Sequence, residues 1–466
     1  MTEPEPNGAL SRRRVLAATG AGVASALAGC GYRPGGGDLA WESSIGGGGS
    51  FGAVERWFLP TADRLVVVRN QSGTSYDFES EEWYDYENAG VTAVDAAGQT
   101  RLDATTERQA VGVPAVNSDS VVVPVEGGRV TAIDREAGAE SDDATVGGDT
   151  ESANATGDGD DEREEAIRWR ADLPSALTAS SRERGDDGED AGGDDETGTD
   201  DDTASTPFGV RASDALVGAV TDRGIAAFDA ETGDRAFVRE TDSLNGEGEA
   251  VAGALARVAV DGEDVWTVVS DAESSASDED AATVVRYDLS GDRRADRAVS
   301  GGVDWAVAVE GTLVVGDATA DAIAGYDRDL ERRFELAVAT PTNRPPTRAI
   351  GGGRLYYALA GAVRAVDVGA GALAWEREDL ADGDLLATDA DGMYAAESED
   401  GTAPGEDDGS RIVAVGLDGE NRWTAPLPDG VEADELFAVD GRLIVVDGGD
   451  WYGFRAAPGE RPSLLG

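Results

Sequence analysis

The sequence has no histidine, no lysine and a single cysteine, Cys30, and each shortage excludes a class of chemistry. Without histidine there is no Ser-His-Asp or Cys-His relay, and one cysteine cannot complete a His/Cys zinc site. A lone thiol makes no disulfide within the chain. Positive charge is scarce too: Lys+Arg number 38 against 94 Asp+Glu, a formal net charge of -56 over 466 residues. Such a surface repels itself in dilute buffer. In molar salt the screening length falls to about 3 Å, so a salt-adapted protein is expected. Duplex DNA carries the same sign, and no nucleic-acid partner is expected. Carboxylates are so abundant that no catalytic pair stands out, so no catalytic, cofactor or metal residue is nominated.

Long apolar runs are missing as well. Val15 to Ala28 is too short to cross a hydrocarbon core, which needs about 20 residues. It follows Arg12-Arg13 and ends in Leu27-Ala28-Gly29-Cys30, the layout of a signal peptide with small residues at its cut. The arginine pair resembles a twin-arginine export signal, and the Leu-Ala-Gly-Cys run resembles a lipobox. The resemblance implies a signal peptide over 1–29 and lipid on Cys30. The membrane would then be a partner through that lipid, with the protein on the extracellular face of the cytoplasmic membrane. Two acyl chains are needed for stable retention. Residues 30–38 read as a glycine-rich tether. Gly47, Gly49 and Gly52 match a G-x-G-x-x-G pattern, but no apolar strand precedes them and no amphipathic helix follows.

What is present is repetition. An apolar strand, a short turn, and a second strand ending in Asp or an equivalent recur eight times, from Arg64–Val68 with Val91–Asp95 to Leu443–Val446 with Trp451–Arg455. The equivalent positions are Asp95, Asp134, Asp229, Asp288, Asp327, Asp367, Gly416 and Arg455. Asp95 to Asp134 and Asp288 to Asp327 are each 39 residues, and Asp327 to Asp367 is 40, the length of a four-stranded propeller blade. Longer intervals carry polar insertions. The acidic stretches 140–165 and 181–205 have almost no apolar residue and are expected to stay disordered. Neither holds an Asp-x-Asp-x-Asp-Gly loop for calcium. Asn70 and Asn154 open glycosylation sequons.

The Asp residues read as turn residues, because Asp bonds its own downstream backbone and the following Gly tolerates positive φ. Four positions beyond the turn glycine stands a large apolar residue: Leu102, Phe237, Trp375 and Trp423 in repeats one, three, six and seven. In repeat two Trp169 follows the insertion. These side chains are expected to wedge between blades. Repeat eight lacks such an outer strand and carries Pro462 instead. Leu39–Ser43, with Trp41 in the wedge position, is expected to supply it and close the ring, since an open ring leaves an exposed edge.

Ala227-Phe228-Asp229-Ala230-Glu231-Thr232-Gly233 and Ala365-Val366-Asp367, with Trp375 downstream, resemble PQQ-like propeller repeats. The chain is most similar in kind to the eight-bladed BamB-like outer-membrane assembly lipoproteins, from about residue 40 to the C-terminus. The resemblance implies an all-β fold over 39–466: an eight-bladed propeller of four-stranded antiparallel blades, closed by an N-terminal strand. PQQ-dependent dehydrogenases of this fold use an adjacent cysteine pair and a calcium site, and this chain has only Cys30. A monomeric, non-catalytic scaffold is therefore expected, binding a protein or a surface glycan without a cofactor. The alternatives are a carbohydrate-active enzyme using paired carboxylates and, last, a PQQ-binding redox protein.

Overall fold

The computed structural model describes residues 36–44, 55–77, 82–137, 166–178, 208–240, 250–270, 281–300, 302–380, 385–397 and 410–456. Arg12, Arg13, Cys30, Asn154 and the stretches 140–165 and 181–205 lie outside them. The described residues form 32 strands, β1 to β32 in chain order, in eight four-stranded antiparallel sheets. The protein is an eight-bladed β-propeller. Inner strands such as β10 (Gly209–Ala212), β14 (Val258–Asp261) and β18 (Trp305–Val309) touch one another around the axis. Among the described residues no helix is long and apolar enough to cross a membrane.

The second and third strands of each blade are sandwiched between neighbouring blades. Both faces are covered, so these strands read as continuous apolar runs rather than alternating ones. Ser120–Val125, Leu216–Thr221 and Gly392–Glu397 are buried at every position. Outer strands such as β25 (Ala372–Arg377) are mostly exposed, which is why their sequence is the least regular part of the repeat.

The eighth blade is built from both ends of the chain. β1 (Leu39–Ser44) adds antiparallel to β32 (Asp450–Arg455), with Leu39 opposite Phe454 and Ser43 opposite Trp451. This is the closure expected from Trp41 and the missing outer strand. The tether reading needs correcting at its end: Gly36 to Asp38 belong to the ring. The Gly37 amide donates to the Arg455 carbonyl at 2.8 Å, and the Arg455 amide donates to Asp38 at 3.0 Å.

Six of the eight interfaces between blades use one device. The large residue of an outer strand lies across the third-to-outer turn of the next blade. Trp169 covers Gly233, Phe237 covers Gly291, Phe334 covers Gly371 and Trp375 covers Gly419. Trp423 covers Gly36 and Gly37, the N-terminal stand-in for the eighth turn, and Trp41 covers Gly98 of the first blade. At Gly233 (φ 74°) an added Cβ would sit 2.6 Å from the Trp169 ring, so the glycine is needed for both its φ and its bareness. The indole N–H finishes the joint. Trp41 donates to Ala96 O at 2.9 Å, Trp169 to Ala230 O at 3.0 Å and Trp423 to Ala456 O at 2.9 Å. Trp375 has no such partner, because Arg354 donates to the equivalent carbonyl of Leu417.

One interface is inverted. Blade four carries the small Ala295 where the others carry an aromatic or, in blade one, Leu102; it lies opposite Arg286 on the third strand. The turn it faces in blade five has Leu330 in place of glycine, at φ 57° and buried, packed in one cluster with Ala295. The sequence rule, keyed to glycine, misses Phe334, which stands four residues beyond that leucine.

Candidate functional site

The six aspartates sit in turns and satisfy backbone donors. Asp95 Oδ1 accepts from Ala97 (2.8 Å) and Gln99 (2.9 Å), and Asp134 from Glu136 (2.8 Å). Asp229 accepts from Glu231 (3.0 Å) and Thr232 (2.9 Å), and Asp288 from Ser290 and Asp292 (3.0 Å each). Asp327 accepts from Glu331 (2.8 Å) and Asp367 from Ala370 (2.8 Å). They are spread around the ring and converge on nothing. Trp375 and Trp423 are likewise at blade interfaces. Asn70 is occupied: its Nδ2 donates to Ala110 O at 2.9 Å and its Oδ1 accepts from the Ala110 amide at 2.7 Å.

Antiparallel order gives the disc two distinct faces. Turns from third to outer strand, with the aspartates and Gly36, lie on the lower face. Turns from second to third strand, and the links to the next blade, lie on the upper face. Two features rise from the upper face, and neither stood out in the repeat pattern.

The first is a hairpin of β3 (Arg64–Asp77) and β4 (Glu82–Asp95). The sequence pattern pairs only Arg64–Val68 with Val91–Asp95, but pairing continues out to Asp77 opposite Glu82. Beyond Arg69 and Gly90, where β2 (Arg56–Pro60) and β5 (Thr100–Thr105) end, it is a two-stranded ribbon. Alternation puts Trp83 on one side against Tyr76, with ring centroids 5.1 Å apart. Tyr84 and Tyr86 occupy the other side, with Tyr86 lying across Gly73. Trp83 is 70% exposed and Tyr84 49%, the most exposed large hydrophobic residues among those described. Large aromatics left this bare are uncommon unless something covers them.

The second is a cavity of about 480 Å³ at the mouth of the central channel. Residues 338–349, linking blade five to blade six, cross that mouth. Trp305 Nε1 holds Pro341 O at 2.8 Å, the Tyr357 hydroxyl holds Ala339 O at 3.0 Å, and Thr388 holds Arg348 O at 3.0 Å. Among the described residues three arginines line the cavity, Arg211, Arg344 and Arg348, and no acid does. Arg348 is neutralised by Glu435 and lies over the Phe437 ring, 5.3 Å from its centroid. Arg211 and Arg344 have no carboxylate partner among the described residues. Arg211 Nη2 donates to Leu255 O at 3.1 Å, its Nε is buried without a partner, and Arg344 Nε donates to Ala306 O at 3.0 Å. Burial pushes Arg344 down to about 10. Burial, and then the charge of Arg344, push Arg211 down as well. Nearby Arg257 is also depressed by burial, but Asp304 opposes the shift there. A signal for this site exists in the chain: from Leu336 to Val366 there is no Asp or Glu.

Known proteins add little to this geometry. No protein-family profile matches the chain, and no curated protein is similar to it in sequence. Among solved structures, BamB from Moraxella catarrhalis is 14% identical with a TM-score of 0.42, over 89% of this chain and 98% of that one. The quinohemoprotein alcohol dehydrogenase from Comamonas testosteroni is 15% identical with a TM-score of 0.40, over 91% of this chain and 75% of that one. The fold rests on the chain's own strand order.

Proposed function

We propose that the protein is a non-catalytic binding scaffold that holds a protein partner on the upper face of the disc through the β3–β4 hairpin. The observation that carries this is the bare aromatic ribbon. Trp83 on one side and Tyr84 and Tyr86 on the other give a stiff, two-sided anchor. Tyr and Trp are the residues that dominate binding energy at interfaces. A sugar ring stacks on one flat aromatic, whereas a ribbon with aromatics on both sides suits a cleft.

The same reading gives the protein an orientation. Cys30 lies six residues before Gly36 in the sequence, so lipid on it would stay within about 20 Å of the lower face. Anchored in this way, in molar salt, the disc would turn its upper face away from the membrane. Arg12→Lys with Arg13→Lys should abolish export, and Cys30→Ser should release the protein from membranes; unchanged retention would end the anchoring part.

The hairpin is tested by capture from cell envelopes in molar salt, wild type against the triple variant Trp83→Ala, Tyr84→Ala, Tyr86→Ala. A polypeptide retained by wild type and reduced at least about tenfold by the variant is expected, since each lost aromatic anchor costs on the order of 1–2 kcal/mol. Capture that survives protease treatment of the envelope but not deglycosylation would assign a glycan instead. Equal capture by both proteins would remove the hairpin from the function.

A further inference from the structure

Arg211 and Arg344 stand out because burial depresses both and no carboxylate among the described residues pairs with either. Acids outnumber basic residues 94 to 38, and most arginines have a carboxylate within reach. Among the described residues Arg211 and Arg344 have none, although they sit where a partner would matter most. A charge withdrawn from water is costly unless paired, and the cost rises when two like charges share the space. Arginine does not escape by losing its proton at neutral pH. The fold nevertheless brings the pair together from two distant segments. Arg211 comes from the inner strand of blade three, and Arg344 from the link after blade five that Trp305, Tyr357 and Thr388 tie down.

The shape around them fits a ligand rather than a packing defect. Their remaining surface faces a single cavity of about 480 Å³, within the size range of small-molecule sites. Its other walls are mainly apolar, including Phe58, Val116, Val307 and Ile350. Each guanidinium spends one N–H on a backbone carbonyl, which fixes its plane and leaves other donors for a planar oxyanion. Glu435 cannot serve as that anion, because Arg348 engages it.

We propose that the mouth of the central channel is a binding site for a small dianion, a phosphate or a compact dicarboxylate, held between Arg211 and Arg344. This goes beyond the scaffold reading and does not depend on the hairpin. Bulk salt screens buried charges far less than exposed ones, so the site works at the ionic strength the acidic surface demands.

The test is calorimetric titration of the full chain at fixed molar potassium chloride, with inorganic phosphate and with phthalate as probes. Saturable one-to-one binding of at least one probe is expected. Phosphate alone would identify a phosphoryl ligand, and tighter phthalate an organic dicarboxylate with an apolar body. Arg211→Gln and Arg344→Gln should each weaken binding at least about tenfold, as expected for truncating one partner of a buried charged pair. Arg293→Gln, at an exposed arginine far from the cavity, should leave it unchanged. Should either cavity variant fail to fold, the wild-type melting temperature still decides, because a ligand of the native state must raise it with concentration. No saturable binding and no such rise with either probe overturns the proposal, as does binding that both cavity variants retain.

Discussion

The joint between blades eight and one and the joint between blades four and five do the same work with opposite parts. At the first, Trp41 comes from the outer strand and lies on Gly98, a bare turn. At the second, the outer strand offers only Ala295, and the turn supplies the bulk as Leu330. The filled volume is kept while its source moves to the other blade. Filled volume at a blade interface is thus kept constant, and the neighbouring aromatic adds a demand for bareness to the positive φ that already favours glycine in the turn. Leu330 accepts a left-handed φ of 57°, which costs an L residue about 1 kcal/mol, and its burial offsets that.

The largest effect is expected at the closure. Trp41→Ala removes a half-buried indole, its bond to Ala96 and the lock between the chain ends, and should cost about 3 kcal/mol in denaturant unfolding. A loss under about 1 kcal/mol would mean that strand pairing with β32 closes the ring unaided. The second test exchanges one kind of joint for the other. Ala295→Trp alone should overpack against Leu330 and cost about 1–3 kcal/mol. Adding Leu330→Gly should recover most of that loss, since it recreates the aromatic-on-glycine arrangement. Two losses that simply add would show the inverted joint to be fixed by something other than volume.

The smallest effect concerns the turn carboxylates. Asp288 is lowered to about 2 by the Ser290 hydroxyl and then Arg294, against slight burial. A depressed carboxylate contributes stability above its unfolded pKa of about 3.9, and loses it as pH falls toward 2. Asp288→Asn should flatten the acid limb of unfolding between about pH 4 and pH 2, moving its midpoint by a few tenths of a unit. An unchanged acid limb would mean that the other turn aspartates carry the acid response.

The blades were legible because their second and third strands are buried on both faces, which leaves the unbroken runs Val121–Val123 and Leu443–Val446 in the sequence. Ring closure was legible from a deficit, a last repeat without an outer strand and a spare Trp41 upstream. Phe334 was hidden because its turn holds Leu330 where the pattern looks for glycine. The hairpin was hidden because its added pairs, Asn70 to Asp77 with Glu82 to Ala89, are mostly polar and carry no continuous apolar run. Arg211 and Arg344 were hidden for another reason: nothing local marks them, and their meaning comes from a contact across the ring that only the closed fold creates. The acid-free run around Arg344 was the one visible trace.

A closure made from the two chain ends also sets a timetable. β1 is made ahead of its partner, Asp450–Arg455, by the length of seven blades. Seven blades can assemble from neighbours in sequence while β1 waits without a pairing partner. Until β32 has emerged, β1 has no strand to pair with and Gly98 lacks its cover. This one long-range pairing, the costliest in chain entropy, is therefore the step that converts an open arc into a ring. A ribosome stalled before residue 450 would carry no closed disc.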